Sequence, residues 1–151
     1  MDSDRDVSGR ADLREAALRL LARREHSVFE LERKLKRKGW EVSLIPGVVQ
    51  ELAGEGLQSD ERFAESFVRS RAEKAYGPLR IRAELGERGV ERALIERAFH
   101  ELKVDWLAQA AKWYGRRYGD QRSADLKEKS RRQQALARRG FDAGVIREIT
   151  D

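Results

Sequence analysis

One tripeptide corner recurs three times and sets what this chain can fold into. It reads Lys38-Gly39-Trp40, then Arg88-Gly89-Val90, then Arg139-Gly140-Phe141, with the glycines 50 and 51 residues apart. Four residues before each glycine stands Leu35, Leu85 or Leu136. Two residues after comes an acid, Glu41, Glu91 or Asp142; five after comes Leu44, Leu94 or Val145; six after comes Ile45, Ile95 or Ile146. Agreement at so many positions identifies an internal repeat. The period matches the length of a three-helix bundle, and 151 residues hold three of them. The expected fold is therefore all-α, three tandem three-helix repeats over 11–56, 57–103 and 104–151, with 1–10 as a flexible tail.

The apolar spacing fills in the helices. Leu13, Ala16, Ala17, Leu20 and Leu21 form one helical stripe, and that helix ends near Arg24. Ser27 and Glu30 have the spacing of a capping box at the start of the next. A third helix is predicted over 43–53, with Pro46 in the first turn, where its missing amide costs little. The stretch 57–79 contains a complete helix with Ser59 or Asp60 as N-cap and Phe63, Ala64, Phe67, Val68 and Ala72 as its stripe. Gly77 is expected in the left-handed conformation that ends a helix, and Pro78 in the first turn of the next. The third unit opens on an aromatic helix with Trp106, Trp113, Tyr114 and Tyr118. In its second helix Arg132 stands where the other units have Leu31 and Ile81. Nothing alternates for long enough to suggest a strand.

Composition narrows the function. Charged residues are 39% of the chain, against roughly 25% in an average soluble protein, which suits narrow apolar faces and wide solvated ones. The net charge is +5, of which the segment 104–151 carries +4. Such an excess suits nucleic acid or an acidic protein surface and specifies neither. There is no cysteine, so disulfides and thiolate metal sites are out. The first ten residues have no apolar core of a secretory signal, and no run approaches the ~18 apolar residues of a membrane span. A cytoplasmic protein is expected. The two histidines, His26 and His100, have no nucleophile pattern around them, and no phosphate loop occurs. Neither an enzyme nor a cofactor is expected.

Basic stripes carry the functional signal. With Leu136 facing a core, Lys127, Arg131, Gln134 and Arg138 fall on the opposite face, and Arg33 and Arg37 lie likewise opposite Leu35. The second unit's face is mixed, with Arg80, Glu84 and Glu87. Guanidinium groups in a row suit phosphates or carboxylates, which their fork binds in pairs. Arg132 and Arg139 join this group of candidates. Tyr76 sits at a corner near Arg80 and Arg82, and packing and partner contact both suit it. The aromatics of the third unit read as a filled core or as a platform for stacked bases, and helical spacing favours the core. Three classes remain: a regulator docking its repeats along a large partner, a helix-turn-helix DNA-binding protein, and a scaffold. The third helices, with Leu44-Ile45-Pro46-Gly47, Leu94-Ile95-Glu96 and Val145-Ile146-Arg147, are poor readers of base edges, which favours the regulator.

The run Gly56-Leu57, Ser59-Asp60, Arg62-Phe63-Ala64, Arg69 and Tyr76-Gly77-Pro78 resembles the RecX family of bacterial regulatory proteins, and the likeness extends from about Leu13 to Ile149. The resemblance implies an elongated array of three three-helix repeats. It implies a monomer that binds the RecA recombinase along the RecA–ssDNA filament, with weak direct DNA binding. It further implies inhibition of RecA's ATPase, strand exchange and stimulation of repressor self-cleavage, and so restraint of recombination and the SOS response. The family has no catalytic residues to transfer. Pro46 and the acidic first residues depart from its pattern.

Overall fold

The computed structural model describes residues 2–123 and 125–151, with side chains from residue 9 onward. Among the described residues there are nine helices and no strand. They are α1 (Asp2–Arg23), α2 (Val28–Arg37), α3 (Ile45–Gly54), α4 (Asp60–Glu73), α5 (Pro78–Glu87), α6 (Arg92–Leu102), α7 (Trp106–Tyr118), α8 (Leu126–Arg139) and α9 (Ala143–Thr150). Each consecutive trio closes around its own core. Leu35, Leu85 and Leu136, the leucines of the repeated pattern, are fully buried at equivalent places in the three cores. The first core buries nine apolar residues and the second eight, whereas the third buries only Ala110, Leu136, Phe141 and Ile146. Half-buried Trp106, Trp113 and Tyr114 complete the third core, and Trp106 also packs against the second. The substantial helix–helix interfaces lie within a trio, with α4 on α7 the exception.

Caps mark most helix starts. Ser27 and Glu30 form the capping box on α2. Ser59 accepts the Arg62 amide, and Asp105, Asp125 and Asp142 accept the amides that open α7, α8 and α9. Helix α3 begins at Ile45, two residues later than predicted, with Leu44 as its cap and Pro46 in the first turn. Helix α1 reaches back to Asp2, so the segment 2–10, expected as a tail, is helical. No proline interrupts it, and its end is tied to α3. A Cβ on Gly9 would meet Leu44 Cδ1 at 3.6 Å, and Arg10 lies 3.6 Å from Glu51.

Gly77 is not left-handed. Its φ of −88° and ψ of 167° are extended, and the positive φ that turns the chain belongs to Ala75. Gly77 is glycine for another reason: a Cβ there would lie 2.3 to 2.4 Å from the backbone of Gly140 and Phe141. The second and third repeats meet backbone to backbone at this point. The Gly77 amide donates to Arg139 O at 2.7 Å, and the Leu79 amide to Gly140 O at 3.0 Å. Gly140 is left-handed, φ +102°, and its own Cβ would strike Arg80 Cβ at 2.5 Å and Arg80 N at 2.7 Å.

The first and second repeats meet by the same plan with different chemistry. The corner at Gly89 lies on the start of α2, where an added Cβ would be 2.7 Å from Phe29 Cβ. Ser27 Oγ donates to Arg88 O at 2.8 Å, Gln58 Nε2 to His26 O at 3.1 Å, and the Val28 amide to Asp60 Oδ1 at 2.9 Å. Thus each later corner docks on the second helix of the repeat before it, through backbone at one joint and buried side chains at the other. At the corner of the first repeat, Gly39, an added Cβ would meet nothing within 4 Å.

His26 sits inside the first joint, 1% exposed. Nδ1 is 3.0 Å from Arg24 O and so carries the proton, while Nε2, 2.9 Å from Lys34 Nζ, accepts. Both nitrogens are used by the neutral ring. Burial holds its pKa below the ordinary value, against the opposing hydrogen bond to the Arg24 carbonyl, while the charges of Arg24 and Lys34 lower it further and Glu30 opposes least. The unfolded histidine takes up its proton near pH ~6.5 and the folded one only below that. The contribution to stability is therefore complete above pH ~6.5 and is lost as pH falls through that region, at no more than about 1.4 kcal/mol per pH unit. Thermal unfolding of wild type and His26→Gln between pH 7.5 and 5.5 checks this. The wild type is expected to lose stability across that range and the variant to respond less.

Candidate functional site

The candidate cations separate into those the fold uses and those it leaves free. Tyr76 belongs to the second joint. Its ring carries the guanidinium carbons of Arg71, Arg80 and Arg139 at 4.3, 4.5 and 4.3 Å. Cations over an aromatic face are attracted by its quadrupole. Arg139 donates through Nε to Ala75 O at 2.8 Å and through Nη2 to Lys74 O, and its carbon lies 5.0 Å over Trp113. Arg80 donates to Arg138 O at 3.3 Å and pairs with Glu84. Tyr76, Arg80 and Arg139 are thus brought together as the polar rim of the joint. Arg82 stands apart from them, forked onto Glu96 at 2.8 and 3.2 Å and stacked 4.1 Å over Phe99.

Arg132 is a core residue. It is 8% exposed, pairs with Glu128, and donates to Tyr114 Oη at 3.1 Å and Gln121 O at 2.9 Å. Its guanidinium carbon lies 4.4 Å over the Tyr118 ring. The arginine thereby closes the thin third core that Leu31 and Ile81 fill in the other repeats. Well-packed apolar replacements of buried ion pairs are often neutral or stabilising by about 1–4 kcal/mol, whereas truncation strands the partner. Accordingly Arg132→Leu should leave the melting temperature unchanged or higher, and Arg132→Ala should lower it, in paired thermal melts.

Five candidates face outward with few or no ties. Lys127, Arg131 and Arg138 are exposed along α8, and Gln134 is exposed with them. Among the described residues Lys127 and Arg138 have no ion pair through their side chains, and Arg131 has only a 3.8 Å contact with Glu128. Lys127 and Arg131 share a groove with Arg122, Asp125 and Gln121. In the first repeat Arg33 and Arg37 are exposed and unpaired among the described residues, and they border a groove with Lys34 and Arg88. The described residues hold no group of acids and histidines suited to a metal, and no helix long and apolar enough to cross a membrane. Helical periodicity found the free cations because it reads one helix at a time. It missed Ser27, Gln58, Arg88 and the Tyr76 cluster as joints, because their partners lie 32 to 65 residues away.

Comparison with known proteins agrees with this architecture in order and in extent. The first three-helix domain of RecX matches residues 14–52, the second 59–98 and the third 103–150. The chain belongs to the RecX family. A relative from Halorhodospira halophila, named regulatory protein RecX, is 49% identical over 135 residues, covering 89% of this chain and 84% of that one. Regulatory protein RecX of Xanthomonas campestris pv. campestris is 46% identical over 134 residues, covering 89% and 83%. The crystal structure of RecX from Lactobacillus salivarius superposes with a TM-score of 0.75 at 23% identity and covers 95% of both chains. A second crystal structure of a regulatory protein RecX gives 0.82 at 23% identity, over 98% of this chain and 76% of that one. At that identity the two structures bear on the RecX fold. The relatives are named regulatory proteins and not enzymes.

Proposed function

We propose that this RecX chain binds the RecA–DNA filament in the cytoplasm and restrains RecA without chemistry of its own, lowering its ATPase, strand exchange and stimulation of repressor self-cleavage. The observation that carries the reading is the serial build: three trios joined corner to helix, with the candidate cations of the first and third exposed and tied by few or no ion pairs among the described residues. A chain jointed in this way offers several small contacts along a long partner, where each adds to the effective concentration of the next. Arg33 and Arg37 at one end and Lys127, Arg131 and Arg138 at the other are the proposed contacts, the second group touching DNA weakly or jointly with RecA. Tyr76, Arg80, Arg82, Arg132 and Arg139 are proposed to act through the shape of the array. The helix-turn-helix alternative lacks support from the third helices, since Arg97 of α6 pairs with Glu61 and α3 begins with Ile and Pro behind a Leu cap. Co-sedimentation with RecA filaments on single-stranded DNA, alongside bare single-stranded DNA, tests the proposal. Retention by the filament above that by DNA, with a matching fall in ATP hydrolysis, is expected. Retention by bare DNA alone would transfer the function to the alternative.

A further inference from the structure

Two exposed apolar side chains of the first repeat share one groove; Phe29 has an exposed apolar counterpart in the second repeat, Leu79, but Val42 has none. Phe29 is 47% exposed and Val42 is 55% exposed. With Ile45 and Pro46 they form the apolar part of a groove of about 330 Å³ rimmed by Glu32, Arg33 and Lys36. Counting from the corner glycines, the places of Phe29, Arg33, Lys36, Val42 and Pro46 are Leu79, Ala83, Gly86, Arg92 and Glu96 in the second repeat. In the third they are Ser130, Gln134, Ala137, Ala143 and Arg147. The same three-helix frame is therefore built twice without this groove: Ile45 belongs to the core, but Phe29, Arg33, Lys36, Val42 and Pro46 are not demanded by the packing of a repeat. Phe29 is also held in place, because the backbone of Gly89 comes close enough that a Cβ there would touch its Cβ. An anchor that is already fixed loses little freedom when something docks on it.

The charges select the occupant. Arg33 and Lys36 have no ion pair among the described residues, and Glu32 is the one acid on this rim. Phe29 and Arg33 are shared with the neighbouring groove, where Lys34 and Arg37 add positive charge, Glu30 is engaged by Arg24 and Arg88, and Glu87 is the one acid without an ion pair among the described residues. We infer that this groove takes an acidic amphipathic segment of a protein partner, with its apolar side chains against Phe29, Val42 and Pro46 and its carboxylates on Arg33 and Lys36. A nucleic acid would leave the apolar floor unused. The inference deepens the reading of this repeat as a partner-docking element and is tested apart from it.

The probes are two fluorescent 16-residue amphipathic peptides with the same leucine positions, one with glutamate on its polar face and one with lysine. Fluorescence anisotropy with the full chain is expected to show the glutamate peptide bound at least tenfold more tightly. Val42→Ser should weaken it severalfold, and Arg33→Glu with Lys36→Glu should reverse the preference. Phe29→Ser should act more strongly, but it also touches the joint. For that reason Val42→Ser is the deciding variant, and its melting temperature is measured beside its binding. Equal binding of the two peptides, or no effect of Val42→Ser, overturns the inference. So does a drop in single-stranded DNA affinity as large as the drop in peptide affinity, or a change in oligomeric state by sedimentation in place of a change in binding. Filament retention of the wild type reports on the proposed function separately: it can persist while the peptide arm fails.

Discussion

Replacing Gly140 by alanine is expected to destabilise the chain far more than replacing Gly39, although the two hold the same place in the repeat. Both are left-handed, at φ +102° and +94°, so both variants bear the backbone strain of a side chain in that region, roughly 1–2 kcal/mol. At Gly39 there is no further cost, since nothing lies within 4 Å of the new methyl. At Gly140 the methyl strikes the backbone nitrogen of Arg80 at 2.7 Å and cannot be accommodated by turning a side chain. Forcing apart packed elements adds about 1–3 kcal/mol, and the amide bonds of Gly77 and Leu79 across the joint stretch with it. Gly77→Ala isolates the steric part, because its extended backbone is one that alanine adopts freely. Urea titration of the three variants checks the order: Gly140→Ala worst, by about 1–3 kcal/mol beyond Gly39→Ala, with Gly77→Ala reporting the steric part alone. Equal losses at Gly39 and Gly140 would show that the joint adds nothing to the strain.

The triple variant Lys127→Glu, Arg131→Glu, Arg138→Glu is expected to fold normally and to lose most binding. These side chains are exposed on α8, so each change should shift folding stability by no more than roughly 0.5 kcal/mol. Each phosphate contact contributes about −0.9 to the slope of log affinity against log salt on duplex DNA and about −0.7 on single strands. The variant should therefore show a slope shallower by up to about 2 on single-stranded DNA, with at least a tenfold loss of affinity at low salt. Inhibition of RecA's ATPase is measured in parallel. Loss in both assays places the stripe on DNA or on a joint surface, whereas loss of inhibition alone places it on RecA. Undiminished activity in both would leave the stripe as a solvated helix face. Arg132, in the same helix, is left out of the variant because its charge holds the third core together.

How far such features can be read from sequence depends on the range of the interaction. The caps at Ser27 and Ser59 and the buried leucines were legible, because a cap acts over three residues and a stripe over four. The repeat was legible because one solution to packing three helices is used three times. Gly77 was not. Tyr-Gly-Pro after a helix fits a left-handed stop, and its real constraint, the carbonyl of Gly140, is 63 residues away. Arg132 stood out as a charge in an apolar register, but no local pattern pairs it with Tyr114 and Gln121 across the α7–α8 connection. The site divides in the same way. Free cations were found by face geometry, whereas the groove at Phe29 and Val42 needed two helices to be placed side by side.

The offset joints also bear on how the chain is made. Synthesis runs from the N-terminus, and each repeat can close its own core soon after it emerges, since most packing is local. The joints cannot form so early. Ser27 waits for the carbonyl of Arg88, 61 residues later, and Gly77 for that of Arg139, near the end of the chain. The first joint can therefore close once the corner at Gly89 has emerged, whereas the second repeat stays loosely oriented toward the third until residues 140–151 are released. Those residues hold the α9 half of the weakest core together with the corner that locks the second repeat. A truncation before Gly140 would leave the first two repeats folded and the open face of α5 in water.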